Sequence, residues 1–193
     1  MWLNQISAPS GAPITLTEAK AHLRVDHSHD DTLIGALINA ATQHLDGRRG
    51  YLGRCLLSQG WEYRVHAFPQ CGVIELPLPP LHSVGSVKYI DDAGAEQTLA
   101  TDQYVVDTET YNGQIRRAYN VVWPFVRLED YAVRVTFTAG FGDAANVPQP
   151  IKTAMQLIIG HLYEHREEVA EGGLTEIPSG VRWLLGPYRL DVL

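Results

Sequence analysis

Thr15-Leu16-Thr17-Glu18 and, shortly after it, Asp30-Asp31-Thr32-Leu33-Ile34-Gly35-Ala36-Leu37-Ile38-Asn39-Ala40-Ala41-Thr42-Gln43-His44-Leu45 decide the reading of this chain. The Thr15 hydroxyl can accept from a backbone N–H one turn on, and Glu18 can reach back, a reciprocal capping box that predicts a short helix to about Arg24. In the second stretch an aspartate at the start suits the helix dipole and its orphan N–H groups. Leu33, Ile34, Leu37, Ile38, Ala41 and Leu45 then recur every three or four residues, so they share one helical face. Arg48 and Arg49 favour the negative end of a helix dipole, which extends the expectation to about Arg49, with Tyr51–Ser58 as a connector.

Downstream, the period changes. Short β-rich runs, broken by Gly, Pro and Asp, are expected at Trp61–Val65, Val73–Leu76, Ser86–Ile90, Glu96–Leu99, Tyr104–Asp107, Gln114–Ala118 and Ala132–Thr138. Asp91-Asp92-Ala93-Gly94 has the composition of a hairpin turn. Leu76-Pro77-Leu78-Pro79-Pro80-Leu81 lacks the donors of a central strand and is read as an extended edge or linker, with a polyproline ligand as the alternative. After Val147-Pro148-Gln149-Pro150 the helical period returns, with an apolar stripe of Ile151, Ala154, Met155, Ile158, Leu162 and Tyr163.

The expected fold class is therefore α+β, an α-helical bundle core interrupted by an antiparallel β insertion and followed by an extended C-terminal tail. The helical core is assigned to 14–58 and 147–170, the β insertion to 59–146 and the tail to 171–193. At 193 residues the chain can bury one sizeable core. A formal net charge of −7 argues against tight binding to DNA phosphates. Cys55 and Cys71 are too few for a disulfide framework and are read as reduced. No basic, apolar leader and no long apolar run is evident, so neither export nor membrane insertion is expected.

Candidate chemistry is sparse. His161-Leu162-Tyr163-Glu164-His165 has the H-x-x-E-H form of inverted zinc peptidases, with two histidines on one helical face. A third ligand would have to come from Glu167, Glu168 or Glu171, whose spacing fits no established pattern. The alternative is the solvated end of an amphipathic helix. Asp26, His27, His29, Asp30 and Asp31 resemble a metal cluster, but aspartates at a helix start are favoured by capping alone. Gly140-Phe141-Gly142 falls short of a dinucleotide fingerprint and is read as a strand-ending turn. Arg48, Arg49 and Arg54, and Arg116 with Arg117, are small basic clusters that could touch phosphates or serve as surface or interface pairs. No catalytic residue, metal site or cofactor is assigned, and the chain is not expected to be an enzyme.

Ile14-Thr15-Leu16-Thr17-Glu18-Ala19-Lys20, Leu23-Arg24-Val25-Asp26 and Asp30-Asp31-Thr32-Leu33-Ile34 resemble the phage head-tail connector family, also called adaptor or head-completion proteins. Similar too are Leu76–Leu81 ahead of Ser86–Ile90, the Trp123-Pro124 pair, Val135–Gly142, Val147–Ile151 and Leu162–Glu167. The resemblance implies helices with a β insertion, and subunits in a ring, usually twelvefold, beneath the portal of a phage or gene-transfer particle. It implies a place in the virion neck, reached from the host cytoplasm during assembly, joining capsid to tail. Implied partners are the portal protein, a stopper or tail-completion protein, and double-stranded DNA passing the channel without tight binding. The tail, with Ile177, Val181, Trp183, Leu184, Leu185 and Tyr188, is the expected portal interface; the alternative is that it folds back over its own helices. Two further functions stay open, a small zinc-dependent hydrolase built on His161, Glu164 and His165, and a stopper or tail-completion protein of the same particle.

Overall fold

The computed structural model describes residues 2–165 and 179–190, arranged as two compact units. One unit comprises Gly11–Leu56 and Asp143–Leu193, the other Met1–Ser10 and Leu57–Gly142.

The first unit is helical: α1 (Leu16–Leu23), α2 (Asp31–Leu45), α3 (Gln149–Glu164) and α4 (Ser179–Leu185). The capping box forms in full, with Thr15 N–H donating to Glu18 at 2.7 Å and Glu18 N–H donating to Thr15 Oγ1 at 3.1 Å. α2 packs on α1 and α3, and α3 on α4. Ile34, Ile38, Ala41 and Leu45 are the buried face of α2, while Ile151, Ala154, Met155 and Ile159 are that of α3. Full burial of each of these large aliphatic chains is worth roughly 1.5–3 kcal/mol. The α3 stripe is thus displaced from the expected one: Ile159 is buried and Leu162 is exposed, because a 3.6-residue period carries the face from Met155 to Ile159. Polar ties add direction: Lys20 pairs with Asp31 at 2.6 Å, and the Tyr163 hydroxyl donates to Asp30.

α2 ends at Leu45, short of the expected Arg49. The reason lies in the loop behind it. Asp46 turns to extended backbone, and its Oδ1 accepts from Leu56 N–H at 2.6 Å. Tyr51 and Leu52 N–H groups donate to the His44 and Leu45 carbonyls at 2.7 and 3.2 Å, so the chain folds back along the helix end and satisfies its orphan acceptors. Leu52, Cys55 and Leu56 are fully buried as a result. Much of the connector expected at 51–58, from Leu52 to Leu56, is therefore part of the core of the helical unit.

The second unit is antiparallel β. A five-stranded sheet has the order β1-β2-β8-β4-β5, from Trp2–Ser7, Gln59–Val65, Val133–Ala139, Leu81–Ile90 and Glu96–Thr98. A three-stranded sheet, β3-β7-β6, is built from Val73–Glu75, Gln114–Arg117 and Tyr104–Asp107. Along the central β8, Val133, Val135, Phe137 and Ala139 are buried and alternate with half-buried residues, the period-two pattern of a strand with one face inward. Trp61 of β2 stands opposite Phe137 in register. Asp91 N–H donates to Ala95 O at 3.0 Å, closing the expected hairpin between β4 and β5. Periodicity did not single out β1, which pairs with β2 from Trp2↔Arg64 to Ser7↔Gly60. In the proline-rich segment Leu76, Leu78 and Leu81 are buried, which excludes its use as an exposed polyproline ligand.

Candidate functional site

Among the described residues, those with metal-ligand potential do not assemble a centre. His161 and His165 lie on one face with ring centroids 4.5 Å apart, but His165 Nδ1 is 3.0 Å from the His161 carbonyl, so that nitrogen is engaged with its own helix. Glu167, Glu168 and Glu171 fall outside the described residues. At the start of α2, Asp31 is held by Lys20 and Asp30 by Tyr163. Among the described residues no three His, Cys, Asp or Glu side chains are grouped to hold a metal ion. Cys55 is buried and Cys71 exposed, and neither forms a disulfide.

Gly140 and Gly142 form a strand-ending turn, with φ of +125° and +104°. A Cβ on Gly140 would lie 2.1 Å from the Leu57 carbonyl oxygen, so close backbone packing explains this glycine. A shallow hollow of about 310 Å³ in the β unit is lined by Tyr63, Val65, Pro69, Val73 and Glu75. Burial, and then the Glu75 carboxylate, push the Tyr63 phenol above its ordinary pKa, so it stays protonated and no general base is created there.

The basic clusters separate. Arg116 is tied within its sheet to Asp107 at 2.9 Å and to Gln114 at 3.0 Å. Arg54, expected on the surface, is buried at 7% exposure, with its backbone oxygen accepting from Gly47. Arg48 and Arg49 remain exposed on the loop after α2.

The carboxy-terminal segment is helical where an extended tail was expected. Val181 and Leu185 are fully buried, on the helix that packs against α3. Trp183 points outward at 80% exposure, and Leu184 and Tyr188 are half-buried. Leu190 N–H donates to Leu52 O at 3.0 Å, which pins the segment to the loop after α2. The fold-back alternative is thus the one adopted by residues 179–190. Ile177 falls outside the described residues.

Sequence reasoning missed one surface. Between β7 and β8, Tyr119, Val122, Phe125 and Leu128 are 76–100% exposed. Trp123, on the same loop, turns inward and stacks on Phe68 with centroids 4.8 Å apart, so the loop is anchored while its other apolar side chains face outward. Exposed apolar groups of this density are characteristic of contact surfaces. The Trp123-Pro124 pair was the signal available in the sequence.

Residues 13–90 match the family of phage gp6-like head-tail connector proteins. The matched stretch includes both the capping box and α2, and continues into β4. A chain in the neck of an empty GTA particle, computed with C6 symmetry, is similar along 100% of this chain and 98% of its own, with 26% identity and a TM-score of 0.77. These likenesses support a head-tail connector protein. A chain from the virion of a native gene transfer agent particle is 25% identical over the same shares, with a TM-score of 0.77. A third, from the neck of a native GTA particle computed with C12 symmetry, has 24% identity, 100% and 98% coverage and a TM-score of 0.71, and shares the fold. No curated protein matches the chain. The connector family and the neck chains are structural components of particles, not enzymes, and a connector needs surfaces rather than a reaction centre.

Proposed function

We propose that this protein is a head-tail connector adaptor in the neck of a phage-like or gene-transfer particle, where copies of it form a ring beneath the portal and join capsid to tail. The observation that carries this reading is the likeness over the whole chain, through both units, to a chain in the neck of a GTA particle. A match confined to the helices would have left the β unit without an assignment. Twelve copies are proposed, in keeping with a chain of the same fold in a neck computed with C12 symmetry. Ring closure is heterologous, with each copy presenting two different surfaces to its neighbours. The ring encloses the passage for double-stranded DNA, and the far side meets a stopper or tail-completion protein.

The portal-facing residues are proposed on α4. Of the six assigned from sequence, Val181 and Leu185 are spent on holding the helix in place, which leaves Trp183 as the exposed anchor, flanked by Leu184 and Tyr188. A tryptophan standing out of a docked helix has the character of an interface hot spot.

Electron microscopy of particles made when this gene is disrupted, with a complemented control, tests the proposal. Full heads separated from free tails are expected. Normal tailed particles would overturn it.

A further inference from the structure

Many described cations of this acidic chain face a carboxylate, Arg127 with Glu129 at 3.5 Å among them. Lys20, Arg64, Lys88, Arg116, Arg134 and Lys152 stand 2.6–3.5 Å from Asp31, Glu62, Glu96, Asp107, Glu96 and Glu18 in turn. Arg24, Arg48, Arg49, Arg117 and Arg189 are exposed and have no such ion pair among the described residues; of these, Arg48 and Arg49 lie on the loop after α2, and Arg189 reaches the same loop at Tyr51.

The fold brings them there. Gly50 N–H donates to Gly47 O at 3.2 Å, closing a tight turn with Arg48 and Arg49 at its tip. The turn leaves no slack, since a Cβ on Gly50 would lie 2.3 Å from the Asp46 carbonyl oxygen. Next to it, Tyr51 stacks on His44 with centroids 6.2 Å apart and planes at 13°, and the Arg189 guanidinium lies 4.8 Å from the centre of the Tyr51 ring. The nearest carboxylate in sequence, Asp46, accepts from the Leu56 N–H.

We infer that Arg48 and Arg49, on the turn just before Tyr51, and Arg189, over the Tyr51 ring, form a contact site for the phosphate backbone of duplex DNA. The assignment rests on the connector reading, and it names the side chains that would meet the DNA in the passage. Charge complementarity selects the occupant: two guanidiniums on a tight turn and a third beside it, none paired with a carboxylate among the described residues, suit the phosphates of a duplex backbone. The net charge of −7 acts in the opposite direction over longer range. The combination gives a guide that touches passing DNA without retaining it.

The test measures fluorescence anisotropy of a labelled, arbitrary-sequence duplex with the purified full chain, from low to physiological salt. The expected result is weak, sequence-indifferent binding whose logarithmic salt dependence has a slope near −3, about 0.9 for each phosphate contact. Arg48→Gln with Arg49→Gln should reduce that slope by about two, and Arg189→Gln should remove most of the remainder. Arg24→Gln with Arg117→Gln alters net charge equally at other exposed arginines and should leave the slope in place. Absence of binding at low salt, or equal losses in both double variants, would overturn the assignment. Unchanged duplex binding by Arg48→Gln with Arg49→Gln, together with failure of that variant to join heads to tails, would overturn it in favour of an acidic protein surface. Gene disruption reads the connector role separately, because separated heads and tails would uphold that role whatever the duplex measurements show.

Discussion

The guanidinium of Arg189 lies over the ring of Tyr51, 4.8 Å from its centroid, although the two residues stand 138 positions apart in sequence. With the Leu190 N–H on the Leu52 carbonyl at 3.0 Å, this contact returns the end of the described chain to the loop after α2. The last helix is therefore a structural part of its unit as well as the proposed portal surface.

The two roles of α4 separate by substitution. Leu185 is fully buried, so Leu185→Ala should cost about 2–5 kcal/mol in urea denaturation. Trp183 is 80% exposed, so Trp183→Ala should change stability by less than about 0.5 kcal/mol while abolishing co-sedimentation with the portal. A large stability loss from Trp183→Ala, or intact portal binding, would contradict the division.

The Asp46 carboxylate accepts from the Leu56 N–H at 2.6 Å and so helps to hold the loop after α2. Asp46→Ala leaves that partly buried donor without its acceptor, and a destabilisation of roughly 1–3 kcal/mol is expected in the same assay. Asp46→Asn, which keeps an acceptor in place, should recover much of the loss.

The capping box makes stability depend on pH. The Thr15 N–H, then the Thr15 hydroxyl, and more weakly Lys152, hold the Glu18 carboxyl below its ordinary pKa. A depressed carboxylate contributes stability above its unfolded pKa, and loses it as pH falls through the lower folded value. Wild type should therefore exceed Glu18→Gln in stability at neutral pH, and the gap should close in acid below the glutamate range. Thr15→Ala should cost about 1 kcal/mol at neutral pH. A gap between wild type and Glu18→Gln that widens in acid would refute the assigned role.

Gly140 occupies φ +125° with no room for a Cβ against the Leu57 carbonyl. Gly140→Ala should destabilise the β unit by more than about 1 kcal/mol, whereas Gly180→Ala, where a Cβ meets nothing within 4 Å, should be tolerated. Equal melting temperatures for the two variants would show that the turn is not constrained.

Residues whose partners lie within a turn or a strand's length could be read directly from the sequence. Thr15 and Glu18 cap each other across three positions, Ile34, Ile38, Ala41 and Leu45 repeat with the helix, and Val133, Val135, Phe137 and Ala139 alternate with the strand. Each pattern records a preference set by backbone geometry close at hand. The H-x-x-E-H string was equally visible, but a metal centre needs a third group whose position no local spacing supplies.

Tertiary structure alone decided the rest. Trp2–Ser7 is a strand because β2 offers it an edge, and Arg54 is buried because the loop after α2 folds back on the helix end. Val181 and Leu185 face inward while Trp183 faces out because α3 lies on one side of α4. The Arg189 guanidinium meets the Tyr51 ring for the same kind of reason. The free energy of burying apolar surface and satisfying backbone donors depends on which distant segments meet, and a local pattern carries no record of that choice.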